Sequence, residues 1–450
     1  MVSIAKALGQ VKEDFRELLP EQSILAVCQQ VGQKFRRRLL GPTRTVYLFL
    51  LQVLHGNLAI SGLHHLVDFT FTDSAYCQSR GRLKVELLSG LFAVVTGTLR
   101  RAGEAFGLWH GHRVIHLDAT GVSMPDTPAL QKRFGQPGNQ KKGCGFPVAH
   151  VLAMFDAASG FLIDLIVSPL RTHDLADCPL LHPKLSAGDV LIGDRGFCSY
   201  AHLALLLQRN LHGLFRLNQR VIVNFRAGRR HEQLCRGRFK RKGLPRSRWL
   251  KKLGCWDQRV EWFKPKKCPP WMDPATYRSL PESIRVREFR YRVEQRGFRV
   301  RQVTAVTTLL DPERYPADEL AKLYLARWQI ELNFRHLKIT LGMDVLKCKT
   351  VNGVLRELLM FGLVYNLVRA VMLQAAEQQG VAPERISFVD ALRWLRAALW
   401  DDVPLDLKVN PLRPGRFQPR VRKRRSKKYS LMTKPRWQLL QEMQRQRVPA

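Results

Sequence analysis

Hydrophobic and polar positions follow two different periods along this chain, and the changes of period divide it. Up to residue 108, apolar residues recur at helical spacing, most clearly over 43–63 and 83–99, and a mostly helical region is predicted. Leu19-Pro20-Glu21 marks a helix start. From residue 113 the pattern changes to short apolar runs. Residues 114–118 read as a buried strand. Residues 148–155 and 161–167 read as two more, joined by a hairpin turn from Asp156 to Gly160. A short helix over 177–185, interrupted at Pro183, a strand over 189–194, a helix over 201–208 and a strand over 211–217 follow. Residues 260–263, 284–293 and 298–306 read as strands, the last two with the alternation of half-exposed ones. Helix resumes at residue 318, and a second helix spans 354–379. Its most apolar part, 358–376, contains Asn366 and Arg369 and reads as a buried helix rather than a membrane span.

These elements suggest five regions. Residues 1–108 form a helical N-terminal domain. Residues 109–217 begin an α/β domain whose order is three strands, helix, strand, helix, strand, the order of a ribonuclease-H-like sheet. Residues 218–307 form a β-rich basic insertion, 308–400 complete the α/β domain with helices, and 401–450 form a basic C-terminal arm. Order alone is shared by pieces of many α/β folds.

Charge sharpens the picture. Lys and Arg number 74 against 37 Asp and Glu, a formal net charge of +37, and a surface of that sign binds polyanions, nucleic acid foremost. The cations cluster at Lys34 with Arg36 to Arg38, at Arg80, Arg82 and Lys84, at 229–230, 236–242 and 251–252, and in the arm, whose Arg422, Lys423, Arg424 and Arg425 suit phosphate. For the N-terminal helices two readings stay open: a bundle packing on the next domain, or a DNA-binding module. The nine cysteines form no Cys-x-x-Cys pair, so a zinc knuckle is not expected, and their spacing suits reduced thiols in a cytoplasm. The opening MVSIAK lacks the apolar core of a signal peptide. The glycine-rich residues 135–145 lack the ending of a nucleotide-binding loop, so no nucleotide cofactor is expected; Lys141 and Lys142 there are candidate DNA contacts.

One stretch carries chemistry, residues 324–338 (YLARWQIELNFRHLK). Placed on one helix at about 100° per residue, Tyr324, Arg327, Glu331 and Lys338 fall within roughly 60° of one another. An ordinary amphipathic helix gathers apolar residues on a face; this one gathers a carboxylate, two cations and a phenol. Two aspartates stand at strand ends: Asp118 closes the first strand, and Asp194, followed by Arg195, closes the fourth. In a ribonuclease-H-like sheet those strands are neighbours, and a late helix can deliver Glu331. Three converging carboxylates hold two hard divalent cations, Mg²⁺ with Mn²⁺ as a substitute, about 3.5–4 Å apart. Asp126, Asp156, Asp164 and Asp174 are competitors; Asp156 reads as a turn residue, and Asp174 follows an exposed-looking Thr-His pair. Trp328 and Phe334 read as packing residues, and His116 as a satisfied core histidine.

The chain resembles the DDE transposases of bacterial insertion sequences, in the group marked by a Tyr-x2-Arg-x3-Glu-x6-Lys signature of insertion-sequence-four type. Tyr324, Arg327, Glu331 and Lys338 match that spacing in full, and the strands ending at Asp118 and Asp194 resemble the first two acid motifs. The resemblance covers about residues 110–380. It implies catalytic Asp118, Asp194 and Glu331 on a ribonuclease-H-like domain with a β insertion. It also implies double-stranded DNA as partner, at the element's ends and at the target, and a homodimer in the DNA complex. Arg327 and Lys338 would bind phosphates, supported by Tyr324. An insertion tryptophan can stack on a flipped base, with Trp249, Trp256, Trp262 and Trp271 as candidates, although a buried core role is the ordinary one for each. The rivals are a structure-directed nuclease of the same fold and a non-catalytic DNA-binding regulator.

Overall fold

The computed structural model describes residues 18–35, 38–138, 140–218, 221–229, 234–235, 245–293, 302–397, 404–412 and 432–447. The expected contacts Arg422 to Arg425, the cluster at 236–242, Arg36 and Arg37, and the first part of the strand read over 298–306 lie outside them.

Four helices come first: α1 (Glu21–Gln30), α2 (Pro42–Leu54), α3 (Asp73–Arg82) and α4 (Val85–Glu104). Pro42 supplies a preset first helical residue for α2, and the Thr72 hydroxyl caps α3 by accepting from Ala75 N at 3.1 Å. Next come β1 (Val114–Ser123), α5 (Pro128–Phe134), β2 (Val148–Asp156), β3 (Leu162–Pro169), α6 (Asp174–Leu181), β4 (Val190–Gly193), α7 (Tyr200–Gln208) and β5 (His212–Arg216). The insertion holds the short pair β6 (Val221–Ile222) and β7 (Leu234–Cys235), then β8 (Arg246–Gly254), β9 (Asp257–Phe263), α8 (Pro274–Ser279), β10 (Ser283–Arg292) and β11 (Gln302–Thr307). Helices α9 (Ala317–Ala326), α10 (Gln329–Arg335), α11 (Val351–Gln378), α12 (Phe388–Ala397) and α13 (Arg436–Arg447) complete the described chain.

One mixed sheet runs through all of this, in the order β3-β2-β1-β4-β5-β11-β10-β9-β8. Strands β1, β2 and β3 are antiparallel neighbours; β4 and β5 run parallel to β1. The insertion strands β8 to β11 extend the same sheet, with β11 pairing antiparallel to β5, while β6 and β7 pair only with each other. Strand β8 went unread in the sequence because Arg246, Arg248, Lys251 and Lys252 break its apolar pattern. It lies at the sheet edge, where charges are tolerated.

Alternation along β1 and β4 separates two cores. Ile115, Leu117 and Leu191 join the larger core, with α7 and α11. Val114, Val190 and Ile192 join a second core with Leu320, Ala321 and Tyr324 of α9. Both faces are therefore covered, which suits the uninterrupted apolar run of β4. Helices α1 to α4 share the larger core with α11.

Among the described residues, α11 is the one helix long and apolar enough to cross a membrane, and it is buried inside the protein. Its polar side chains are paired by the β2–β3 hairpin. Asn366 donates to Leu162 O and accepts from Leu162 N, both at 2.8 Å, and Tyr365 donates to Gly160 O at 2.7 Å. Gly160 has φ +73°, and a Cβ there would meet Arg369 Nη2 at 2.5 Å, so this turn needs glycine twice over. The described end of the expected basic arm is not free: α13 docks through Arg436, which donates to Asp126 at 3.0 Å and lies over the Phe146 ring.

Candidate active site

The register of β1 and β4 sets the site. Val114, Ile115 and His116 pair with Val190, Leu191 and Ile192. Two residues further along both strands stand Asp118 and Asp194, on the face shared with α9. Burial pushes the Asp118 carboxyl up to about 6; its backbone hydrogen bond and Arg327 oppose the rise, while Asp194 and Asp174 add to it. Asp118 Oδ1 accepts from Ala119 N at 2.8 Å, and Oδ2 lies 3.5 Å from Arg327 Nη1. Asp194 Oδ1 accepts from Gly196 N at 2.6 Å, closing the turn after β4.

A further carboxylate belongs to this neighbourhood. A Cβ on Gly196 would stand 2.9 Å from Asp194 Oδ1 and 3.7 Å from Asp174 Oδ2. Asp174 opens α6, and its Oδ1 is 2.6 Å from His150 Nε2 on β2. The sequence reading set Asp174 aside as an exposed competitor. Its neighbour His150 carried no signal, because only the β1–β2 ladder brings that strand alongside Asp118.

The signature stretch is not one continuous α-helix, which corrects the single-helix expectation. Helix α9 ends at Ala326. Arg327, Trp328, Ile330 and Glu331 then donate to carbonyls three residues back, at 3.0–3.2 Å, a 3₁₀-type tightening. After α10 the chain widens into a π-turn, His336–Thr340, closed by Leu341 N to His336 O at 2.9 Å. Tighter winding advances each residue further around the axis and wider winding less, so the four positions follow no single 100° wheel.

Each signature residue nonetheless meets a defined neighbour. Tyr324 is buried in the second core, and Arg327 lies over its ring and over that of Trp328. Lys338 Nζ donates to Thr120 Oγ1 at 3.1 Å and to Gly121 O at 2.8 Å, just beyond Asp118 on β1. Glu331 is exposed on α10, a helix packed against β1. It does not form a tight cluster with the two aspartates. Among the described residues the one trio of Cys, His, Asp or Glu ligand atoms within 4.8 Å of one another lies elsewhere, and like charges disfavour closer approach. Helix α10 is held by its buried side: Arg369 donates to Asn333 Oδ1 at 2.5 Å, and the Phe334 edge meets the Phe155 ring.

Four sequence readings are corrected. Strand β1 does not close at Asp118 but runs on to Ser123, and Trp328 is exposed rather than packed into the core. His116 is buried but not satisfied: neither ring nitrogen has a hydrogen-bond partner, and burial with Arg327 lowers its pKa to about 4. Trp262 is fully buried and donates to Glu288 Oε1 at 2.9 Å, so it cannot meet a base. Trp249 and Trp256 are half-buried, the latter beneath Arg292, and Trp271 packs at the core edge. Arg195, Lys141 and Lys142 are exposed.

Comparisons with known proteins identify a family. Residues 109–367 match the family model described as the transposase DDE domain. The chain belongs to that family, as the motifs at Asp118, Asp194 and 324–338 imply. It is similar to the transposase InsG of insertion sequence element IS4 from Escherichia coli K12, with 25% identity over 325 residues. That match covers 71% of this chain and 65% of the relative, so the chain spans just under two thirds of the relative's length. A cryo-EM structure of the piggyBac transposase synaptic complex with hairpin DNA aligns with 89% of this chain and 80% of its own, at 10% identity and a TM-score of 0.43.

Proposed function

We propose that this protein is a transposase that cleaves DNA at terminal inverted repeats and transfers the freed end to target DNA. The observation that carries the reading is the β1–β4 register, which sets Asp118 beside Asp194, with Arg327 against Asp118. The order β3-β2-β1-β4-β5, with β4 and β5 parallel to β1, supports a ribonuclease-H-like catalytic domain. The five-region division, with a DNA-binding N-terminal domain and a basic arm, goes with that assignment.

Asp118, Asp194 and Glu331 are the proposed catalytic acids. Their donor set is all carboxylate oxygen, which fits hard cations such as Mg²⁺ or Mn²⁺, and bound cations would activate a water or 3′-hydroxyl and stabilise the leaving oxygen. Arg327 is aimed at the same place and would bind the phosphate undergoing attack, with Tyr324 and Trp328 fixing its direction. Lys338 would exchange its contacts on β1 for a phosphate oxygen. Arg195, Lys141, Lys142, Trp249 and Trp256 are proposed DNA contacts, and Arg422 to Arg425 would neutralise the backbone. The working form is a homodimer on two ends, cytoplasmic and DNA-associated, and uses no nucleotide cofactor.

The test is cleavage by the full-length protein of three DNAs: the element's terminal repeat, a scrambled duplex of equal length and a four-way junction. Cuts confined to the terminal repeat support the proposal. Junction cleavage irrespective of ends would replace it with a structure-directed nuclease, and end-binding without cleavage with a regulator.

A further inference from the structure

Behind the carboxylates lies a second group of side chains that the DNA chemistry does not use. Cys178 stands on α6, His182 one helical turn later, and His202 in the first turn of α7. All three are buried. Their ligand atoms converge: His182 Nε2 and His202 Nε2 are 3.3 Å apart, Cys178 Sγ is 3.3 Å from His202 Nε2 and 3.7 Å from His182 Nε2. We propose that these three residues bind a zinc ion that ties α6 to α7 beneath the active site.

The separations carry the argument. Tetrahedral zinc with Zn–N bonds of about 2.0–2.1 Å and Zn–S bonds of about 2.3 Å has N···N edges of about 3.4 Å and N···S edges of about 3.6 Å. The observed triangle has those dimensions. The three donor atoms form a near-equilateral triangle, the arrangement of three ligands around one ion.

The tautomer points the same way. His202 Nδ1 lies 2.8 Å from Phe197 O, so Nδ1 carries the proton and donates, leaving the Nε2 lone pair directed at the cluster. Asp177 is not among the residues whose ligand atoms converge, so a water would complete the coordination. A thiolate with two imidazoles suits zinc rather than magnesium.

The site's place in the fold gives it a role. Helix α6 begins at Asp174 and α7 follows the turn that starts at Asp194, with Phe197 O gripping His202. One ion would fix the spacing of both segments. Its absence from the sequence reading has a simple reason: the ligands follow a Cys-x3-His spacing with the second histidine twenty residues on, and no Cys-x-x-Cys marks them.

The experiment uses the full-length protein. After expression with zinc and exhaustive dialysis, elemental analysis should find about one zinc per chain. X-ray absorption at the zinc edge should show a shell of one sulfur with nitrogen and oxygen ligands. Cobalt substitution should give a thiolate-to-cobalt charge-transfer band, lost in Cys178→Ser and kept in Cys144→Ser. His202→Gln should lower zinc affinity at least about tenfold. A folded wild-type chain that retains no zinc would overturn the proposal. So would a sulfur-free or multi-sulfur shell, a reading that needs no variant to fold. None of these readouts depends on DNA cleavage, so the zinc site stands or falls apart from the proposed function.

Discussion

Arg327 Nη1 lies 3.5 Å from Asp118 Oδ2, joining the tightened turn after α9 to the middle of β1. The pair is partly buried, and the guanidinium is sandwiched near two aromatic rings, so its direction is fixed before any phosphate arrives. Its Nε is buried without a hydrogen-bond partner.

Arg327→Gln should therefore reduce end cleavage by about 10²-fold, the typical effect of removing one preorganised charge-stabilising donor. The thermal midpoint should change little. Single-turnover cleavage assays check this; an unchanged rate would show that Arg327 serves only to balance Asp118.

Asp174 shares the Asp118 and Asp194 neighbourhood and is oriented by His150. Asp174→Asn and His150→Ala should each raise the Mg²⁺ concentration needed for half-maximal cleavage, by about tenfold or more. A magnesium titration of the cleavage rate decides; superimposable curves would reduce Asp174 to a helix-start residue.

Trp262 and Glu288 hold the insertion together. Trp262→Ala should cost about 3–5 kcal/mol, from the cavity and from a buried carboxylate losing a donor. Trp256→Ala, which loses a cation–π contact, should cost within about 1 kcal/mol. Urea unfolding measures both, and equal destabilisation would contradict the division between core and surface tryptophans.

Acid should unfold the protein partly through its buried histidines. His336, stacked on Phe388, has its pKa lowered to about 3 from an ordinary 6.5 by burial and by Arg369 and Arg335. The unfolded chain binds this proton first. Its contribution to stability is thus complete above pH 6.5 and is lost as the pH falls towards 3. His336→Phe should narrow the gap between thermal midpoints at pH 7 and pH 5. An unchanged gap would place the acid sensitivity elsewhere.

Much of this was legible in the sequence, where the signal was local. The strands carrying Asp118 and leading to Asp194 showed as apolar runs, although β1 runs on to Ser123, and the hairpin turn at Asp156 to Gly160 showed as turn chemistry. Asn366 and Arg369 marked α11 as an interior helix because polar groups need partners, and the β2–β3 hairpin and Asn333 supply them. Relationships between distant segments were not legible. Nothing local says that β11 would pair with β5, that His150 would reach Asp174, or that Cys178 and His202 would face one another. The stretch 324–338 is less regular than the single helix its composition suggests. Helix α10 packs against β1 and the π-turn against α11, long-range contacts that local propensity does not encode.

The central claim is that Asp118, Asp194 and Glu331 act together on DNA ends. Its most direct measurement is Mg²⁺-dependent cleavage of DNA carrying the terminal inverted repeats, by wild type and by Glu331→Gln, with end-binding followed in parallel. The account predicts specific end cleavage by the wild type, and an unchanged affinity with cleavage abolished in the variant. Full cleavage by Glu331→Gln would contradict it.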